Sequence, residues 1–207
     1  MSQTSMTLIP ETISSYIVEK GAALGIHDTS QMKLQKLVFF AWIWYGVLYK
    51  KKLFDEEPVA WEYGPFFQSL WKQTSIFGRN PITAEDLRYG SKDIKDKVLL
   101  EYLDNVIANY GKYSAYELKD KSHKEFWDKS HKTVDQVISW DDAVKYYKNN
   151  LIESVVLIED KEAGVFTVMS HIIPGLVLEY SNYTKLSSEI QDIASNLIRE
   201  NCRSSTD

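Results

Sequence analysis

The sequence is almost without cysteine: Cys202 is the only one in 207 residues. That count excludes an intramolecular disulfide and a cysteine-built zinc site, and it points to a reducing compartment. Long apolar runs are missing too. The main stretch free of charged and strongly polar side chains, Leu37 to Tyr49, covers 13 residues. A membrane-spanning helix needs roughly 17–25, so no membrane partner is expected. The first thirty residues have neither a basic start nor an apolar segment of leader type, which predicts no secretory signal and a cytoplasmic location. Signatures of catalysis are also absent: there is no nucleophile elbow, no phosphate-cradling glycine loop and no metalloprotease helix motif.

Histidine is scarce. The four are His27, His123, His131 and His171. His123 and His131 share a polar stretch with Glu125 and Asp128, but eight residues is not the i, i+4 spacing that sets two ligands on one helical face. A solvated helix face explains them, and no metal or cofactor is expected. A hydrolase built on His123, Glu125 and Asp128 would require those groups to converge in a pocket. Cys202 lies near the C-terminus with no base beside it in sequence, a poor setting for an activated thiol.

Basic charge is in deficit, and only locally. Residues 151–207 hold nine acids and four bases, whereas residues 1–150 hold 20 of each. The C-terminal quarter therefore repels phosphate backbones and attracts basic partners. Lys50-Lys51-Lys52 beside the aromatics is the one feature suited to nucleic acid. A neutral first part and an acidic second part argue against that partner.

What is present is organised around residues 32–71, which contain four of the six tryptophans. Leu34, Leu37, Val38, Ala41, Tyr45, Leu48 and Tyr49 form one helical stripe. Phe39, Phe40, Ile43 and Val47 make the other faces apolar, the pattern of a buried helix. Trp42, Trp44 and Tyr45 suit a core that offers hydrogen-bond partners. Pro10 opens an earlier helix with a stripe of Ile13, Tyr16, Ile17 and Leu24, stopped at Gly25. Thr29 or Ser30 can cap the central helix. Val59 to Tyr63 predicts one short strand, Gly64-Pro65 a turn, and Phe66 to Phe77 a helix stopped by Gly78.

Residues 79–90 read as a loop. A helix follows from Asp93 to Tyr110, with Ile94, Val98, Tyr102 and Val106 as its stripe and Gly111 as its stop. Ser114 and Glu117 form a capping box, and Ser139 starts a last helix ending at Asn149-Asn150. Beyond residue 151 the pattern changes. Glu153 to Ile158 and Val165 to Met169 form a hairpin, Leu176 to Tyr180 a third strand, and Leu186, Ile190, Ile193, Ala194 and Leu197 mark an amphipathic helix. Arg203 to Asp207 is expected to fray. The prediction is an α+β protein with a helical module at 1–150 and a small βββα module at 151–207.

Two sets of residues carry binding potential. Trp61, Tyr63 and Phe66 cluster beside a turn, and Phe126-Trp127 interrupts a charged stretch. Such rings either close the core or serve as interface anchors. Glu159, Asp160 and Glu162 form an acidic tip on the second module.

Residues 30–150 resemble the Panacea domain, the SocA-like antitoxin domain also found in phage-associated GepA proteins. The resemblance lies in Met32-Lys33-Leu34-Gln35-Lys36-Leu37-Val38-Phe39-Phe40-Ala41, in Leu53 to Pro58, and in Ala60-Trp61-Glu62-Tyr63-Gly64-Pro65. It continues in Ser114 to Leu118, Ser122-His123 and Phe126-Trp127, the last standing where the family often has Pro-Trp. Residues 153–200 resemble the HicB-like antitoxin fold through Asp160 to Phe166, Ser170 and Ile173-Pro174-Gly175-Leu176. That resemblance implies a partial ribonuclease H-like sheet with one helix and no catalytic acids. Both imply a non-enzymatic protein that binds and neutralises a cognate toxin, or delivers it to a protease as an adaptor, with oligomeric state left open.

Overall fold

A computed structural model of the chain describes residues 8–88, 94–181 and 183–204; the side chains of 183, 184, 186–188 and 202–204 are outside that description. The fold is α+β. Helices α1 (Pro10–Ala23) and α2 (Gln31–Tyr49) come first, followed by a hairpin of β1 (Val59–Trp61) and β2 (Gly64–Phe66). Then come α3 (Gln68–Thr74), α4 (Lys97–Tyr110), α5 (Ala115–Ser122), α6 (Glu125–His131) and α7 (Trp140–Asn149). A 3₁₀ turn at Leu151–Ser154 leads into β3 (Val156–Asp160), β4 (Val165–Met169) and β5 (Val177–Tyr180), and α8 (Tyr183–Ser204) closes the chain.

Helix α2 is the axis. Ser30 caps it by accepting from the Lys33 amide, and Lys50 ends it in a left-handed conformation. Its apolar residues from Leu34 to Trp44 are buried on every face, and α1, α3, α4, α5 and α7 all pack on it. The Trp44 indole donates to the Tyr110 hydroxyl at 2.6 Å. That hydroxyl donates onward to the Glu153 carbonyl at 3.0 Å. The Trp42 indole, equally buried, has no partner among the described residues, so the expected hydrogen-bond partners exist for Trp44 and not for Trp42.

Local chemistry explains most boundaries. The Ser114–Glu117 box is formed in both directions, and Ser139 caps α7 through the Asp142 amide. Five expectations are corrected. The β1–β2 turn lies at Glu62-Tyr63, and Gly64-Pro65 opens β2, so the single predicted strand is a hairpin. Phe66 therefore belongs to a strand, and the helix after it starts at Gln68. Helix α4 begins at Lys97, capped by the Asp96 carboxylate; the predicted start at Asp93 lies outside the described residues. Its buried stripe is Leu99, Tyr102, Leu103, Val106, Ile107 and Tyr110, whereas Val98 is 61% exposed. Leu24 likewise faces solvent after the end of α1.

The C-terminal strands form an antiparallel meander, β3-β4-β5, with β3 and β5 at its edges. Val168, Ile172, Ile173, Leu176, Ile190 and Ala194 join the same buried cluster as α2. Polar ties fasten this unit to the helices: Lys124 to Glu153 at 2.7 Å, the Leu151 amide to Gln191 at 2.9 Å, and the His171 amide to Asn109 at 3.4 Å. Helix α8 extends to Ser204, so the expected fraying at Arg203 and Ser204 gives way to helix; residues 205–207 lie outside the described residues. No helix among the described residues is long and apolar enough to cross a membrane.

Where α2 crosses α7, a Cβ on Gly46 would come within 2.8 Å of Val144 and 2.9 Å of the Trp140 indole nitrogen. Gly46→Ala is expected to destabilise the fold by roughly 1–3 kcal/mol, since overpacking a filled core forces shifts of this size. Urea unfolding of the two proteins checks it; equal midpoints would show that the crossing yields freely.

Candidate functional site

The N-terminal half of α2 buries three polar side chains, and each has a defined task. Lys33 pairs with Asp28 just ahead of the helix. Gln35 clasps the backbone of Phe67: its carbonyl oxygen accepts from the Phe67 amide at 2.8 Å and its amide donates to the Phe67 carbonyl at 3.1 Å. Lys36 is 2% exposed and donates to the Pro65 carbonyl at 2.8 Å. No carboxylate lies in salt-bridge reach of it among the described residues. Burial, with Lys119 as a second cause, lowers the Lys36 amine from an ordinary value of 10.5 to about 7.

The hairpin rests directly on this lysine. Gly64 has φ +92°, and a Cβ there would lie 2.9 Å from Lys36 Cε and 3.0 Å from the His123 ring. Only a residue without a side chain both adopts that angle easily and allows that approach. His123 stacks on Trp127 at 4.0 Å between ring centroids, and Trp127 on His131 at 4.6 Å. This ladder holds the other edge of the hairpin: the Trp127 indole donates to the Trp61 carbonyl at 3.1 Å, and the His131 Nδ1–H donates to the Ala60 carbonyl at 2.7 Å. Burial, then Lys119 and Lys36, lower His123 to about 4.

Held from both sides, the hairpin turns Trp61 and Tyr63 outward. Trp61 stacks on Phe66 at 4.1 Å and meets Trp71 edge-on at 5.9 Å. Trp61 and Tyr63 are 43% and 54% exposed. Between the hairpin and the start of α2 lies a groove of about 220 Å³, lined by Met32, Lys36, Trp61, Tyr63, Phe66 and Trp71 among others.

The predicted binding residues thus fall into three places. Trp61 and Tyr63 form the exposed wall of the groove, with Phe66 buried beneath Trp61 as its support. Phe126 is 4% exposed, stacked on Phe39, and offers no surface; its neighbour Trp127 is the hairpin clamp. Glu159, Asp160 and Glu162 sit at the exposed β3–β4 tip, far along the chain from the groove. There the Asp160 carboxylate accepts from the amides of Glu162 and Ala163 at 3.0 Å, so it shapes the turn. Glu125 and Asp128 are exposed on α6, and none of His123, Glu125 and Asp128 lines the groove beside the hairpin. No metal-sized cluster of His, Cys, Asp and Glu occurs among the described residues. Lys52 pairs with Glu57 at 2.8 Å, which reduces the basic run. Sequence reasoning missed Lys36 and Gln35 as site residues; their signal was two polar side chains directly ahead of the apolar run that starts at Leu37.

The lowered Lys36 value carries a sign. From about pH 7 to 10.5 the unfolded chain holds a proton that the folded chain has released, so this residue's contribution to stability rises with pH across that window. Relative to a Lys36→Met variant, the native protein is expected to gain up to roughly 1 kcal/mol per pH unit between pH 7 and 9. Paired urea titrations at the two pH values measure it, and a pH-independent difference would refute the buried, uncompensated amine.

Comparison with known proteins bears on the same residues. Residues 34–128 match the family described as antitoxin SocA-like, Panacea domain. Residues 154–206 match a domain of unknown function, DUF1902. No curated protein and no solved structure matches the chain. The first match runs from Leu34 within α2 through the hairpin, α3, α4 and α5 to the clamp at Trp127. An antitoxin-family domain points to a role in a toxin–antitoxin pair and to a toxin as partner. Most of the residues that line the groove fall within 34–128, the stretch that matches the SocA-like Panacea antitoxin domain.

Proposed function

We propose that this protein is a cytoplasmic antitoxin that binds a cognate toxin and neutralises it by covering the toxin's active surface, without chemistry of its own. The observation that carries this reading is the overlap between the Panacea match and the clamped hairpin, whose exposed Trp61 and Tyr63 stand at a groove. Trp and Tyr are the side chains that dominate binding energy at interfaces. Neutralisation by contact also accords with the exposed positions of Glu125 and Asp128 on α6.

The reading treats residues 1–150 and 151–207 as two modules and the second as HicB-like. Support for that identity is the β-β-β-α order of the C-terminal unit. Its edge strand β3 exposes Leu157 and Ile158, and a free edge can add a strand to a partner through main-chain hydrogen bonds. The acidic tip beside it would steer a basic toxin. A protease adaptor shares the binding step and differs in outcome.

Co-expression with the product of the adjacent gene tests the proposal: a stable complex and restored growth are expected, and neither would occur if it is wrong. Toxin half-life with and without this protein separates occlusion from delivery to a protease. Trp61→Ala and Tyr63→Ala are each expected to weaken toxin binding about tenfold or more, the loss typical of an anchor residue, with stability unchanged in Tyr63→Ala and lowered in Trp61→Ala, which uncovers Phe66. Isothermal titration against unfolding midpoints checks this. Glu159→Lys with Glu162→Lys is expected to slow association several-fold at low salt and less at high salt, because exposed charges act through a screened field; stopped-flow rates at two ionic strengths decide it.

A further inference from the structure

Lys36 forms part of the groove that Trp61, Tyr63, Phe66 and Trp71 border, yet it is nearly inaccessible. Its amine has three N–H donors when charged and one protein acceptor, Pro65. The groups that bear on it make matters worse for a cation: Lys119 on α5 repels it, and His123 beyond Gly64 is held neutral. A buried ammonium without a counter-charge is costly, and none lies in salt-bridge reach among the described residues. The groove is also small. At about 220 Å³ it falls below the roughly 300–1,000 Å³ of pockets that enclose whole ligands, which suits one or two side chains of a larger partner.

We propose that the groove receives a segment of the partner protein in which an aspartate or glutamate adjoins an apolar residue. The carboxylate meets the Lys36 ammonium at the floor, and the apolar neighbour lies on Trp61, Tyr63 and Trp71. Charge selects the occupant. A basic segment would be repelled by Lys36 and Lys119, and a neutral amide would leave the ammonium without a counter-charge. The identity of the partner as a toxin rests on the antitoxin reading; the recognition chemistry rests on the groove alone.

The test uses the full chain and three probes: acetyl-Leu-Asp-Leu-amide, its Asn counterpart, and acetyl-Leu-Leu ending in a free carboxylate. Binding is followed by the NMR signals of lysine ε-carbons labelled with ¹³C. The Asp peptide is expected to bind at least tenfold more tightly than the Asn peptide and to move the Lys36 signal. In Lys36→Met the preference disappears. In Tyr63→Ala, whose ring is exposed and whose loss spares the fold, both peptides bind at least threefold more weakly. Equal affinity for Asp and Asn peptides, a preference that survives in Lys36→Met, or no binding at millimolar concentration overturns the proposal. Binding of the free-carboxylate peptide alone also overturns it and assigns the site to a chain end. Should Lys36→Met fail to fold, the Lys36 signal in the native protein still decides between the Asp and Asn probes. A toxin complex that forms while the peptides fail leaves the antitoxin reading intact; no complex, with the peptide preference present, does the reverse.

Discussion

The constraint on which this structure depends is that one helix must be covered on every side. Helix α2 has no solvent face over most of its length, so each neighbouring element acts as a wall, and its position is set by what α2 presents there. Toward its C-terminal half it presents rings and aliphatics, and α4 and α7 cover them. Toward its N-terminal half it presents Lys33, Gln35 and Lys36, which no helix can cover with apolar side chains. Those three need oxygen or nitrogen partners. Asp28, Phe67 and Pro65 supply them, and two of these partners are backbone carbonyls at the end of the hairpin. The burial of α2 and the placement of the binding surface are therefore one event.

Much of the fold could be read in advance where the signal is local. The capping box at Ser114, the Ser139 cap and the strand at Val165–Met169 depend on a few adjacent residues, and they stand where their chemistry puts them. The all-round apolarity of Leu37 to Tyr49 identified the axis for the same reason. The misses arose where distant contacts decide. Gly64-Pro65 has the composition of a turn, but Gly64 is needed for closeness to Lys36 and His123, so the turn moves to Glu62-Tyr63. Periodicity chose Val98 for the stripe of α4, but Asp96 caps that helix and rotates Val98 outward.

The site was only half legible. Trp61 and Tyr63 were marked by aromatic density beside a turn, and they do stand in the open. Phe126 and Trp127 looked equivalent in sequence and are opposites in space, one within the core and one fastening a strand. Neighbouring positions on a helix point about 100° apart, so on a helix with one covered face, such as α6, a pair of this kind divides between two environments. Lys36 escaped notice because a lysine every few residues is ordinary. Its meaning comes from having no carboxylate in salt-bridge reach among the described residues, which no spacing reveals.

The missing methyl at Gly64 has a consequence for how this protein can change. Its hydrogen is wedged between a lysine stem and an imidazole ring that come from separate helical segments, 28 and 59 residues away along the chain. Positions 36, 64 and 123 are thereby locked into a single unit of inheritance. A drift toward bulk at one is tolerable only with a simultaneous retreat at another, so related sequences should vary freely around this trio while altering it all at once or leaving it alone.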